Sequence, residues 1–226
     1  MTNAGASSSG NPPRGTSHIP DDGTPRDGTA RPSMRAGDDG DRRAAILDAA
    51  VASFGRLGYY GTSIQRIATD VGLTKAGVLH HVGSKEGLLR LALTEMYDRD
   101  TMDIMAETIR DEHPSIPAMW RRVVAYNNRR PALVHMFSTL SAEAIDPEHP
   151  AHDYFAARER DIVATALNIN WAVPDGVDVA ALLRSGFAMM DGVQLRWLRT
   201  PGQDLTAMWA DCENTLFPMP QWEGYR

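Results

Sequence analysis

Cys212 is the only cysteine in this 226-residue chain. An intrachain disulfide and a cysteine-based metal cluster are therefore excluded, and a reducing, intracellular setting fits. No apolar run approaches the roughly 18 uninterrupted residues of a membrane span, and the amino terminus lacks a basic-then-apolar signal pattern. The expectation is a soluble, cytoplasmic protein with no membrane partner. Alternating apolar/polar segments bounded by tight turns are missing, which predicts no sheet. There is no internal repeat, nucleophile elbow, phosphate loop or His-Glu-x-x-His motif, so nothing in the motifs supports an enzyme. What remains is 42% hydrophobic residues. That is enough for one large domain, or a small one joined to a larger.

The net charge of -6 is unevenly spread. Residues 1–40 carry four Arg against five Asp, a net of -1, and residues 41–90 carry five Arg and two Lys against three Asp and one Glu, a net of +3. The rest of the chain, 91–226, therefore holds -8. A small basic module is attached to a larger acidic one. Overall acidity argues against indiscriminate coating of nucleic acid and leaves room for a local basic face. After Met1, residues 1–40 hold only Ile19 and Met34 as large apolar groups. They cannot bury enough surface to offset chain entropy, so they read as a disordered tail that aids solubility. An alternative is an arm in which Arg31 and Arg35 reach into a minor groove, but interleaved Asp residues oppose it.

Order is expected from about Asp41. Ile46, Ala50, Phe54 and Leu57 fall at helical spacing, and Gly58 stops the run. Thr62-Ser63-Ile64-Gln65 reads as a capping box opening a helix of about two turns that ends at Gly72. Thr74 caps a third short helix running to His80 or His81, and Ser84 caps a fourth. Two short helices joined by a Gly-containing turn and packed on a longer one make a helix-turn-helix. The second would enter a major groove, with the first across the backbone. Here the second helix is Thr74-Lys75-Ala76-Gly77-Val78-Leu79-His80-His81. Ala76 and Gly77 permit close approach. Gly77 costs about 1 kcal/mol of helix propensity, so its place mid-helix points to a close-contact or packing reason. Arg42, Arg66, Lys75 and Lys85 supply charge for phosphates, and Thr62, Ser63, Thr74 and Ser84 supply hydroxyls and helix amino termini. The same corner occurs in many proteins that never meet DNA, so the shape alone decides nothing.

Ala50, Phe54, Gly58-Tyr59, Thr62-Ser63-Ile64, Ile67-Ala68, Val71-Gly72-Leu73-Thr74-Lys75, His80, Ser84-Lys85-Glu86 and Leu88 stand in an order that resembles the TetR-family DNA-binding domain over residues 42–89. Four positions depart from the family pattern. Its usual reading-helix Tyr is Leu79, its second aromatic is His81, the Phe behind the turn is Val82, and the next Pro is Gly83. A phosphate contact is lost at Leu79. His80 and His81 stand where they can replace it, and a His–phosphate contact weakens as pH rises through the His titration.

The resemblance implies an all-α fold, with a three-helix helix-turn-helix domain (41–88) followed by a larger helical regulatory and dimerisation domain (89–226). Helices are expected over 84–111 (one, or a bent pair), 116–129, Pro131 to about Ala144, His149 to Asn170, 178–199 and 204–216. In this family the last two helices form the dimer interface, and Leu182, Gly186, Met189, Val193, Trp197, Leu205, Trp209, Cys212 and Leu216 stripe them here. The bland reading of that stripe is core. A two-fold dimer would present its reading helices about 34 Å apart, or a multiple, to a near-palindromic double-stranded operator. The family also implies an effector pocket. Met105, Trp120, Met136, Phe137, Phe155, Met189 and Met190 are candidates to line it for a small apolar or aromatic effector, with His135, Asn127 and Asn128 to orient a polar group.

Two smaller readings concern the middle of the chain. His149 and His152 would share a helix face near Asp153, so a metal there is conceivable, but a capped helix start explains the same residues and no metal or cofactor is expected. Glu143 and Arg158 are a candidate structural pair. The function expected is a homodimeric, ligand-released transcriptional repressor. The alternatives are a metal-dependent helical enzyme using His149, His152, Asp153 and Glu143, and a helical scaffold that never binds DNA.

Overall fold

The computed structural model describes residues 35–226, with side chains from residue 39 onward. Readings that fall on residues 1–34, including Arg31 and most of the tail, lie outside the described residues, as does the side chain of Arg35. Ten α-helices and one π turn make up the regular structure there, with no strand among the described residues. No helix among them is long and apolar enough to cross a membrane.

Helix α1 spans Arg35–Gly61. It begins earlier than the composition suggests, because the Asp-rich stretch continues directly into the periodic run. At Gly58 the backbone turns to φ 68°, ψ -176°, which breaks the regular helix where the sequence predicts. Helices α2 (Ile64–Asp70) and α3 (Lys75–Val82) follow. Ser63 rather than Thr62 caps α2, its hydroxyl accepting from the Arg66 N–H. The N-cap is thus displaced by one residue, because Thr62 is drawn inward to bond Gly58, and Arg66, now at the third position, has no acceptor with which to complete a capping box. Helix α4 (Lys85–Leu93) leads through a π turn (Thr94–Asp98) into α5 (Arg99–Ile109). Then come α6 (Ile116–Asn128), α7 (Pro131–Glu143), α8 (His152–Ala166), α9 (Val179–Arg199) and α10 (Leu205–Leu216).

Helix α8 is shorter than the spacing implies. The Asp146–Ala151 stretch is held as successive turns by Asp146, which accepts from Glu148 N–H, and His149, whose Nδ1 accepts from Ala151 N–H. At the other end Trp171 Nε1 donates to the Ala166 carbonyl and folds the chain back.

Two cores organise these helices. The first joins α1–α4 to α7 through Ile46, Phe54, Ile67, Val78, Leu88, Met136 and Leu140, all fully buried or nearly so. No packing break therefore falls at residue 88. Helices α1 and α7 cross closely enough that a Cβ on Gly55 would lie 3.1 Å from the Met136 backbone nitrogen. The second core gathers α5, α6, α8, α9 and α10 around Trp120, Trp209 and Phe217, with Trp222 closing it.

This second core absorbs most of the expected dimer stripe. Leu205 and Trp209 are 0% and 1% exposed, and Val193, Trp197 and Leu216 are buried with them. Gly186 faces inward, since a Cβ there would meet the Trp120 ring at 2.5 Å. These six residues pack within their own chain, because the two tryptophans need that face covered. Leu182, Met189 and Cys212 remain partly exposed.

Gly186→Ala is expected to lower the unfolding free energy by about 1–3 kcal/mol through overpacking, despite the higher helix propensity of alanine. A urea titration read beside sedimentation checks this. An unchanged midpoint with altered self-association would place Gly186 at an interface instead.

Candidate nucleic-acid interface and internal cavity

The α2–α3 corner is built by local hydrogen bonds. Gly72 adopts φ 67°, Leu73 N–H donates to Ala68 O (2.8 Å) and Gly72 N–H to Thr69 O (3.2 Å). That double closure ends α2 and aims the chain into α3. Thr74 Oγ1 accepts from Gly77 N–H at 3.0 Å, and Ser84 Oγ from Gly87 N–H at 3.0 Å. Each such cap contributes about 1 kcal/mol to its helix. The Thr74 hydroxyl keeps its own proton to donate to a phosphate oxygen, whereas that of Ser84 also bonds the Glu86 carboxylate, and Ser63, Thr74 and Ser84 are all exposed.

Helix α3 buries Val78 and Val82 and turns Lys75, Ala76 and His80 outward. Gly77 is half-buried, and a Cβ there would meet only Thr74 Oγ1 and Leu73 within 4 Å. The Thr74 contact, at 3.3 Å, is tight, so a side chain here would press on the oxygen that caps the helix. Arg42 on α1 and Gln65 and Arg66 on α2 are also exposed. Val82 fills the space behind the turn, Leu79 packs against the same core, and Gly83 takes φ 74°, which suits glycine.

Three of the expected contact residues sit differently. Thr62 is 2% exposed, its hydroxyl donating to Gly58 O (2.8 Å) and sharing a bond with Ser53 (3.1 Å). It shapes the corner and presents nothing outward. The His81 side chain is 10% exposed, with Nε2 3.8 Å from Asp39 on α1. Lys85 Nζ lies 4.1 Å over the Tyr59 ring, and burial lowers its pKa. Tyr59 Oη donates to Glu86, and burial together with that carboxylate raises the phenol's pKa well above its ordinary value.

The junction with the rest of the molecule was not legible as such. Tyr59 N–H, freed by the break at Gly58, donates to Glu143 Oε2 at 2.6 Å. His149 is 3% exposed, its Nε2 3.5 Å from the same carboxylate. Glu143 thus meets Tyr59 and His149 rather than Arg158. Arg43 of α1 makes two parallel bonds to Glu95 at 2.7 and 2.8 Å. Glu95 lies in the π turn, a geometry that is rare and concentrates at functional sites.

Two residues further on, the same turn supplies the wall of a cavity. Tyr97, Met105, Trp120, Asn127, Phe137, Arg158, Phe187, Met190 and Asp191 are among its lining residues, around about 40 Å³ of space. A larger cleft of about 380 Å³, flanked by α5 and α8, adjoins it and shares Thr101, Arg158 and Ile162. Met105, Trp120, Phe137 and Met190 are where the sequence places them. Met136 is not: it points from α7 into the α1 crossing. Phe155 stands behind Phe137 at 5.0 Å, outside the cavity. Met189 lines an external groove with Gly192, Met208 and Cys212. Of the polar candidates, Asn127 reaches the cavity, Asn128 Oδ1 caps α10 at Leu205 N–H, and His135 is exposed.

The polar heart of the cavity was missed in the sequence. Arg158 Nε donates to Asp98 Oδ1 at 2.8 Å, and Tyr154 Oη donates to Asp98 Oδ2 at 2.8 Å. The guanidinium lies over the Tyr97 and Phe137 rings, which stack 4.0 Å apart. Burial pushes the Tyr97 phenol up to about 12. Asp98 and Arg158 are 60 residues apart, a separation no local pattern reports. His152 Nδ1 pairs with the Ala144 carbonyl, and no group of three or more metal-ligating side chains gathers among the described residues.

Residues 46–92 match the model of the bacterial regulatory proteins of the tetR family. Over that segment the chain is similar to the TetR-family amino-terminal domain. Over 57 residues it is 35% identical to the HTH-type transcriptional regulator RutR of Escherichia coli K12, a stretch covering 25% of this chain and 27% of RutR. The likeness to solved structures extends much further. The structure of AibR in complex with isovaleryl coenzyme A and operator DNA superposes with a TM-score of 0.59, 24% identity, and coverage of 78% of this chain and 98% of that one. FadR from Bacillus subtilis in complex with stearoyl-CoA gives 0.59, 15% identity, and coverage of 76% and 96%. At these identities the likeness is one of fold.

The Arg43 hydrogen bonds hold the Glu95 carboxyl below its ordinary pKa. Its contribution to stability is therefore present above the unfolded value of about 4.3 and is lost as pH falls through the folded one. Arg43→Met is expected to lower the urea midpoint at pH 7 and to approach the parent protein at pH 3.5. An equal gap at both pH values would remove this ion pair as the cause.

Proposed function

We propose that the protein is a homodimeric, ligand-responsive transcriptional regulator, acting in the cytoplasm as a repressor at a near-palindromic operator. The observation that carries this is the outward face of α3. Lys75, Ala76, Gly77 and His80 form a slim, basic ridge, flanked by the exposed cap hydroxyls of Ser63, Thr74 and Ser84, on a segment of net charge +3. Arg42 and Arg66 extend the charge, and Lys85 adds to it from beside Tyr59. Thr62 and His81 act from behind, by fixing the corner.

The dimer reading rests on the part of the expected stripe that stays exposed. Met189 and Cys212 from the expected stripe line the outer groove between α9 and α10 with Gly192 and Met208, Leu182 is partly exposed further along α9, and this face suits a two-fold four-helix contact. The effector reading rests on the cavity and its adjoining cleft, which together offer an apolar body and a few placed polar groups. AibR and FadR are seen with acyl-coenzyme A molecules, and AibR with operator DNA as well. These support a protein of the same plan, one that binds and releases rather than catalyses.

Coupling follows from position. The π turn holds Arg43 of the reading unit through Glu95 and walls the cavity through Tyr97 and Asp98. A ligand that prefers a different setting of this turn shifts the population away from the DNA-bound form by its difference in affinity.

Selection from a random duplex pool, at about 0.1 M salt, tests the reading. The wild type is expected to recover a palindrome with half-sites one helical turn or a multiple apart. Lys75→Ala should weaken binding across sequences and reduce the slope of log affinity against log salt by about 1, and His80→Ala should weaken it further. No enrichment by the wild type would end the DNA reading.

A further inference from the structure

We propose that the effector is an anionic amphiphile, a carboxylate on an alkyl or aryl body, whose head group is held by the terminal amines of Arg158. This rests on the reading of the cavity as an effector site.

A guanidinium carries five N–H donors. The Arg158 side chain is only 12% exposed, and the only hydrogen bond it makes is from Nε to Asp98. The four donors on its two terminal nitrogens have no hydrogen-bond acceptor among the described residues. These nitrogens are not fully buried and open onto the cleft, so water reaches them, and an anion that displaces that water gains charge-assisted bonds. The guanidinium carbon lies 5.1 Å from the Tyr97 ring centroid and 4.9 Å from that of Phe137, beside the stacked pair, and Nε is tied to Asp98, which together hold the group in place. A fixed guanidinium edge matches a carboxylate with two parallel bonds.

Position strengthens this. Arg158 lines both the open cleft and the enclosed cavity. A ligand reaching from one into the other passes the guanidinium. The cleft offers Met102, Ala157 and Ile162, and the cavity Trp120, Phe187 and Met190, as apolar surface for the body.

The acidic neighbours do not favour a cation instead. Both oxygens of Asp98 are taken, by Arg158 and Tyr154. Asp161 lies at the cleft beside Arg160, whose Nε is 3.1 Å away. Asp191 remains, and burial raises its pKa, which moves it toward the neutral form. A cation placed in either space would also face the Arg158 charge. A carboxylate seated on Arg158 competes with Asp98 for the same group, and Asp98 belongs to the π turn that also carries Glu95.

The test compares head groups on one body, without DNA. Octanoate, octanol and octylamine, and phenylpropanoate with its alcohol and amine, are titrated into the full chain, with binding read by tryptophan fluorescence and melting temperature. The carboxylates are expected to bind about ten- to a hundredfold more tightly than the alcohols of the same body, and the amines least. Arg158→Gln should erase that preference, and Arg158→Lys should keep only part of it. Equal binding of alcohol and carboxylate, tighter binding of the amine, or no binding of either carboxylate overturns the proposal. The wild-type series decides the matter even where a variant fails to fold. Operator selection without carboxylates is a separate readout, so failure there, beside a carboxylate preference here, removes the regulator and leaves the anion site.

Discussion

The crossing of α1 over α7 is the constraint on which the rest depends. Two backbones come together at Gly55 because it has no side chain to hold them apart, and Thr139 Oγ1 donates to the Gly55 carbonyl at 3.0 Å. Three residues on, Gly58 turns α1 aside and exposes an amide that Glu143 of α7 accepts. With these contacts in place, the first core is continuous from the outward-facing corner to the middle of the molecule. Motion in one is felt in the other because interiors this dense do not deform smoothly.

Around that crossing the charges are arranged by task. Exposed cations stand where a polyanion would approach. Paired charges, Arg43 with Glu95 and Arg158 with Asp98, stand at joints between helices. The acidic remainder lies on the larger half. A uniformly basic surface would bind any nucleic acid, whereas a basic ridge on an acidic body binds only when presented edge-on.

Much of this was legible in the sequence because it is local. Gly58, Gly72, Thr74 and Ser84 report their turns and caps through their own chemistry, and helical spacing predicted the inward face of α1. Trp120, Met105, Phe137 and Met190 were named for the cavity by size and apolarity. The same reasoning misassigned Met136 and Gly186, since periodicity shows which face is apolar but not which neighbour covers it. Thr62 was misread for a related reason: hydroxyls of Thr62 and Ser63 differ only in which way the corner turns them. The Arg158–Asp98–Tyr154 cluster and the Glu143–Tyr59 contact join residues far apart in sequence, and no local signal encodes them.

The π turn has a geometric consequence of its own. Leu89, Leu93, Tyr97, Thr101 and Met105 recur at every fourth residue, and all are turned inward. In a uniform α-helix, with 3.6 residues per turn, each such step overshoots by about 40° and the row would spiral off toward solvent. The wider turn at Thr94–Asp98 takes up part of that excess. It acts as a phase correction, letting one continuous rod present the same flank first to the reading core and then to the cavity.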